Sequence, residues 1–448
     1  MGAPDGSGRP TGHSPVIRLM LGASALTTLG AIPPFLLGAQ AVLVRGDLDF
    51  GAAGLGVAVS AFFAVAALVT IAAGGLFDRI EVAGARLAAG LLVGCGGLGI
   101  AGLAHDWTGL VLGMAVLGAA NATCQGASNR TIATLLPAGR RGLGFGLKQS
   151  AVPVAVMLGG LAVPTMTALL GWRSTFVVTG SVGLLVALVG VVGLTRSWWA
   201  AGRRDASAPT SSAPGAPARG DASARTVVDR APWGPLLLCG LATTFASASA
   251  NFLGSYLASW GHEVGLTVGQ AGLLMAAGSG ASVVVRVLMG ARADRRYGGN
   301  LTMVTTLIMV GALCLTMLAL VPRIEVVVVF GFLAFGLGWS WPGLILFAVA
   351  RIGRDAPTQA SSVVQAGAFV GGALGPVSFG VLVQVLGFRG AWLAAAVSFA
   401  ISGALVLGAR RGFRRDLVSR PPARPLGFGG GRGVPRFTTP VPRAERRD

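Results

Sequence analysis

The stretch Gly74-Gly75-Leu76-Phe77-Asp78-Arg79 has a near-copy 216 positions later, Gly290-Ala291-Arg292-Ala293-Asp294-Arg295. The same offset relates Gly171-Trp172-Arg173 to Gly387-Phe388-Arg389, Gly38 to Gly254, Gly56 to Gly272, Gln149 to Gln365 and Gly159 to Gly375. An offset that holds without net insertion over so long a distance marks an internal duplication. Each copy of the quoted stretch also interrupts long runs without charge. Twelve runs of 19 or more residues lack Asp, Glu, Lys and Arg: 19–44, 50–77, 87–105, 107–129, 149–172, 174–195, 231–262, 264–285, 297–322, 326–350, 356–388 and 390–409. A helix needs about 20 apolar residues to cross the hydrocarbon core. The expectation is therefore an all-α membrane protein of twelve transmembrane helices, built as two six-helix repeats. Six crossings per copy bring both copies in from the same face, so the repeats are parallel and related by an axis along the membrane normal.

Composition agrees. Of 448 residues only 11% are charged, against about 25% in soluble chains. The 71 glycines suit helices that approach closely in lipid. The four cysteines, Cys95, Cys124, Cys239 and Cys314, all fall inside expected spans and read as small apolar groups. His13, His105 and His262 are scattered, without metal-ligand spacing. No nucleophile–base set, metal cluster or phosphate loop is visible, so an enzyme is not expected, and neither is a cofactor. The first apolar run is too long for a signal-peptide core and reads as a retained first helix.

The net charge of +19 could point to nucleic acid, but its placement points to a membrane. With the N-terminus in the cytoplasm, the loops on that side carry sixteen basic residues, among them Arg79, Arg86, Arg140, Arg141 and Lys148, while the opposite loops carry four, Arg45, Arg173, Arg323 and Arg389. That is the positive-inside pattern. It places both termini in the cytoplasm and the protein in the cell membrane. The expected organisation is an N-terminal segment 1–16, a six-helix half 17–195, a cytoplasmic linker 196–232, a second half 233–409 and a basic, disordered tail 410–448. The tail's eleven arginines would meet anionic lipid headgroups.

The residues also resemble a known family, the major facilitator superfamily, over about residues 17–410. Its loop motif between helices 2 and 3, G-x-L-x-D-R-x-G-R-K, is matched at Gly74, Leu76, Asp78 and Arg79, and departs at Glu81, Val82 and Ala83. The second copy keeps Gly290, Asp294 and Arg295, with Gly298 one place late. Gln125 and Gly126 match the end of a helix 4 motif whose Arg is replaced by Ala122. The helix 5 antiporter motif is absent, and helix 11 carries a partial version, Gly371 to Gly375-Pro376. The resemblance implies a secondary transporter of a small molecule, working by alternating access as a monomer. It implies gating by Asp78, Arg79, Asp294 and Arg295, and a central cavity lined by helices 1, 4, 7 and 10.

Polar residues inside spans are functional candidates, because unpaired polar groups are costly in lipid. Asn121, Gln125 and Asn129 recur at helical spacing on helix 4, as do Thr244, Ser247, Asn251 and Ser255 on helix 7, with Tyr256 beside them. Helix 10 contributes Trp339, Ser340 and Trp341, and Gln40 ends helix 1. These faces either line the cavity or hold helices together. Arg286 stands about 12 Å into the membrane, eight residues before Asp294. Its repeat partner is Thr70, so the fold itself does not demand an Arg. Its spacing resembles that of the helix 8 Arg of monocarboxylate transporters, although Ser282 replaces their acidic residue. The resemblance implies anion binding; the alternative is a guanidinium reaching a carboxylate or backbone carbonyls.

The expected substrate contacts are Arg286, Asn121, Gln125, Asn251, Trp339 and Trp341, with Arg130, Lys148, Gln149 and Gln365 as coupling or anion contacts. No carboxylate lies deep in a span, which favours proton-linked symport of a weak acid or anion, or facilitated diffusion, over export of cations. Export of a metabolite or antibiotic, or a transport-inactive receptor, are the alternatives.

Overall fold

The computed structural model describes residues 13–77, 80–136, 147–205, 230–295, 299–354 and 356–421. Among them, eleven helices are long and apolar enough to cross a membrane. They are α1 (Val16–Ala39), α2 (Ala52–Ala73), α3 (Val82–Leu103), α4 (Trp107–Ile132), α5 (Ala151–Leu170), α6 (Trp172–Arg196), α7 (Trp233–Val264), α8 (Val268–Ala293), α9 (Asn300–Leu320), α10 (Ile324–Ile352) and the run Gln359–Ser419. That last run, 61 residues, is far longer than one crossing requires, and it breaks at Gly387, where φ is 67° and ψ 175°. It is therefore two crossings, α11 (357–386) and α12 (388–419), which gives twelve in all.

The break is itself a repeat feature. Gly171, 216 positions before Gly387, has φ 77° and ends α5. Both positions sit in the positive-φ region that glycine enters at little cost. The Gly-aromatic-Arg signature is thus one reversal used once per half. Two helices outrun their expected ends. α6 continues as helix to Asp205, past residue 195. α12 continues to Ser419, past residue 409, where sequence placed the start of the tail. The linker from 206 to 229 and the tail beyond 421 lie outside the described residues.

Two clusters show which helix ends share a face. Val16 and Met20 pack with Ile132 and Leu136 and against Leu147, bringing the start of α1, the end of α4 and the approach to α5 together. In the second half, Arg230 pairs with Arg354 as an isolated bridge. Arg354 Nη2 donates to Asp416 Oδ2 at 2.6 Å and to the Arg420 carbonyl at 2.8 Å. That clasp joins the start of α7, the end of α10 and the end of α12, and explains why α12 stays helical so far. This is the linker face. On the opposite face the Asp47 carboxylate accepts from Trp172 Nε1 at 3.1 Å and from Arg173 at 3.2 Å.

The outer surface keeps large apolar side chains, among them Leu185, Leu188 and Val189 of α6 and Val284, Val287 and Leu288 of α8. So much exposed apolar surface fits lipid as the surrounding solvent.

A seam between two halves

Repeat symmetry governs how the halves meet. Gly38 of α1 lies against Gly254 of α7, its own repeat partner, so close that a Cβ there would overlap the Gly254 carbonyl. A contact between equivalent positions must lie on the symmetry axis. Off the axis, Gly56 of α2 sits against Pro376 of α11, and Gly272 of α8 sits against Gly160 of α5. Gly272 is the repeat partner of Gly56, and Pro376 that of Gly160, so these two contacts are images of each other. A Cβ at Gly272 would lie 2.7 Å from the Gly160 oxygen, closer than carbon and oxygen can approach. Glycine is needed here because backbone touches backbone.

Polar contacts follow the same seam. The Tyr256 hydroxyl of α7 lies 2.9 Å from the carbonyls of both Ala52 and Pro376 and donates to one at a time. The Val377 N–H donates to Ser60 Oγ at 3.0 Å. Nearer the middle, Trp339 of α10 meets Phe35 of α1 edge-on, with ring centroids 5.6 Å apart, and stacks on Phe335.

Arg286 of α8 stands next along the seam. Its Nη1 donates to the Gln149 carbonyl of the first half at 2.9 Å, and its Nη2 donates to the Trp339 carbonyl at 2.6 Å. Gln149 is eleven residues from Gly160, about 16 Å along α5. The seam thus runs from the opposite face past the middle of the membrane, and Arg286–Gln149 is the named contact between halves nearest the linker face. Among the described residues, the backbone contacts between the halves thus close the opposite face, and Arg286–Gln149 adds a link on the linker side of the middle.

Lys148 precedes Gln149 and is buried. Its Nζ donates to Gln125 Oε1 at 2.9 Å and to Asn129 Oδ1 at 2.6 Å, both on α4. Burial pushes its ammonium down to about 8 from the usual 10.5, because desolvation disfavours the charged form. Both partners are neutral amides, and the ammonium meets no carboxylate among the described residues.

A profile described as Major Facilitator Superfamily matches residues 16–252 and 239–441. The chain belongs to the major facilitator superfamily. Solved structures similar to this facilitator include a bacterial homologue of the human lysosomal transporter Spinster in an inward-facing, unoccupied conformation. It is 17% identical, has a TM-score of 0.67, and covers 90% of this chain and 99% of that one. The occupied form of that homologue gives a TM-score of 0.65 at 18% identity, with coverage of 90% and 99%. At such identity the likeness is one of fold. A chloramphenicol resistance protein of Streptomyces lividans is 31% identical over 274 residues, which are 60% of this chain and 64% of that protein. The match thus spans under two thirds of the relative's length.

Within this facilitator the expected site residues divide. Gln125, Lys148, Gln149, Arg286 and Trp339 are drawn together at the seam, with Lys148, Gln149 and Arg286 linking α4, α5 and α8. Asn129 joins them through Lys148, and Arg130 is half-buried beside it. Asn121 is buried one turn deeper on α4, against Gly30 of α1, and its Oδ1 has no partner among the described residues. Trp341 is fully buried, its Nε1 likewise without one. Ser282 and Ser340 bond each other at 2.9 Å.

Other residues are drawn elsewhere. The polar face of α7 turns largely to its own half: Ser247 Oγ donates to the Ala368 carbonyl of α11 at 2.9 Å, and Asn251 Nδ2 donates to the Ser247 carbonyl at 2.8 Å. Gln40 is held by Thr175 and Thr167 within the first half. Gln365 is half-buried on α11 and takes no part in the Arg286 cluster. Asp78 and Arg79, and the side chains of Asp294 and Arg295, lie outside the described residues. Sequence reasoning passed over Phe35, Ser60 and Gly160 as seam residues. Gly160 carried a usable signal, since its repeat partner is Pro376.

Proposed function

We propose that this facilitator is a secondary transporter that carries a small organic anion or weak acid across the cell membrane by alternating access of its two halves, with both termini in the cytoplasm. The observation that carries the anionic reading is Lys148: a buried ammonium beside the seam, held by two amide oxygens. An ammonium so placed is an incomplete ion pair, and a solute carboxylate completes it. Asn121, with its unpartnered Oδ1 on the same helix, offers a further polar contact. The two N–H groups that Arg286 spends on carbonyls support a role in holding the halves, with Lys148 as the principal anion contact. The glycine-lined seam supports rocking, because closely packed backbones separate and re-form as rigid faces.

A second reading is export of a metabolite or antibiotic, favoured by the similarity to a chloramphenicol resistance protein. Flux in proteoliposomes decides between them: a substrate screen under pH gradients of each sign reports solute, direction and coupling together. The anionic reading expects carboxylate flux that Lys148→Gln reduces at least tenfold at equal reconstitution. Carboxylate flux that survives this change, or flux of neutral solutes alone, refutes it.

A further inference from the structure

Away from the seam, a groove of about 680 Å³ opens on the outer surface of the first half between α1, α3 and α6. Its floor is apolar, with Leu26 and Leu29 of α1 and Val182 and Val186 of α6, and two cations line it, Arg18 of α1 and Arg86 of α3. Both arginines stand near the linker ends of their helices. Arg86 is half-buried, four residues inside α3, and neither guanidinium has a hydrogen bond or ion pair with a described residue. A guanidinium drawn below the headgroup level without a counter-charge is costly. The repeat partners of Arg18 and Arg86 are Gly234 and Thr302, so the fold does not impose this pair of charges.

The dimensions select the ligand. From Arg18 to Leu29 the groove follows eleven residues of α1, about 16 Å. Half of a bilayer's hydrocarbon core is about 15 Å. Charge sits at the linker end and apolar side chains fill the depth of one leaflet, which is the pattern of a lipid with an anionic headgroup. We propose that this groove binds an anionic phospholipid, its phosphate between Arg18 and Arg86 and one acyl chain along Leu26, Leu29 and Val186. Basic pockets between helices on that side of a membrane are suited to such headgroups. The site is distinct from the solute path at the seam and does not depend on what solute is carried.

The test uses the full-length protein in neutral detergent, titrated with phosphatidylglycerol or phosphatidylcholine and read by native mass spectrometry. Wild type should bind phosphatidylglycerol at least tenfold tighter than phosphatidylcholine. Arg18→Gln with Arg86→Gln should weaken phosphatidylglycerol binding about thirtyfold, at about tenfold or less per cation. Gly22→Trp supplies an independent arm. Gly22 lines the groove and a Cβ there meets nothing within 4 Å, so an indole introduced there starts in open space, occupies the groove and keeps both arginines. It should weaken binding at wild-type folded yield, and it decides the matter if the double variant does not fold. Equal affinity for the two lipids in wild type, or undiminished phosphatidylglycerol binding in either folded variant, overturns the proposal.

Discussion

Replacing Arg286 with Gln tests the seam most directly. Of the two hydrogen bonds its guanidinium makes, the one to the Trp339 carbonyl at 2.6 Å stays within the second half, and only the one to the Gln149 carbonyl at 2.9 Å crosses between halves. The first persists when the halves rock as rigid bodies, so its loss weakens both states equally. The second lies on the linker side of the membrane's middle, so it restrains separation of the halves on that face. A hydrogen bond to a charged group contributes about 1.5–3 kcal/mol in general, but cross-helix bonds in membranes average about 0.6 with a maximum near 1.7. A value of about 1 kcal/mol corresponds to about a fivefold change in population. Spin labels at Thr134→Cys, at the linker end of α4, and Gln359→Cys, at the start of α11, report the separation of the halves on the linker face. Both positions are exposed; of the native cysteines, the exposed Cys95 would be replaced, and the other three are buried. Arg286→Gln should raise the share of long distances about fivefold in double electron–electron resonance. Arg286→Lys, which keeps the charge and one possible donor to Gln149, should restore part of the difference. A distance distribution unchanged within twofold, or shifted toward shorter distances, would refute the assignment of Arg286 as a contact that holds the halves together on the linker side.

Three further outcomes are expected. Gly56→Ala and Gly272→Ala, images of each other under the repeat, should each shift the same label pair toward short distances, since the added Cβ meets backbone in both and overpacking costs about 1–3 kcal/mol; a shift from one alone would break the symmetry argument. Lys148 is charged below its lowered value of about 8 and neutral above it, so flux that depends on its charge should fall as pH rises through about 8. Lys148→Arg, charged throughout, should flatten that fall between pH 7 and 9, and an unaltered profile would remove Lys148 from the solute path. Asp416→Ala should lower the thermal unfolding midpoint in nanodiscs, because it removes the carboxylate from Arg354, whose side chain is 3% exposed; breaking a buried ion pair costs up to about 3–5 kcal/mol, less here because Arg354 keeps the Arg420 carbonyl, and an unchanged midpoint would show the ion pair at the linker face to be dispensable.

Much of the fold was legible because lipid imposes a simple rule. A crossing helix satisfies its own backbone and excludes charge, so the uncharged runs marked every crossing to within a few residues. Their charged ends failed where a helix runs on past its last apolar residues, as the Arg354–Asp416 pair carries α12 to Ser419. The offset of 216 was more informative still. It fixed the parallel repeats and, through Gly171 and Gly387, the reversal that ends α5 and α11.

The candidate site was half legible. Gln125, Lys148, Gln149 and Arg286 could be singled out one at a time, because a polar group in an apolar run is visible in one dimension. Which of them meet could not be read, since Arg286 and Gln149 lie 137 positions apart. Likewise the polar stripe of α7 has helical spacing whether it faces a cavity or α11, and only packing turned Ser247 toward the Ala368 carbonyl. The sequence by itself determined the crossings, the duplication and the inventory of costly polar groups, because each follows from local spacing and transfer to lipid. Tertiary structure alone decided their partners. It set Arg286 on carbonyls, Lys148 on neutral amides and glycine against glycine at the axis, because those pairings depend on how two six-helix bodies dock across the membrane.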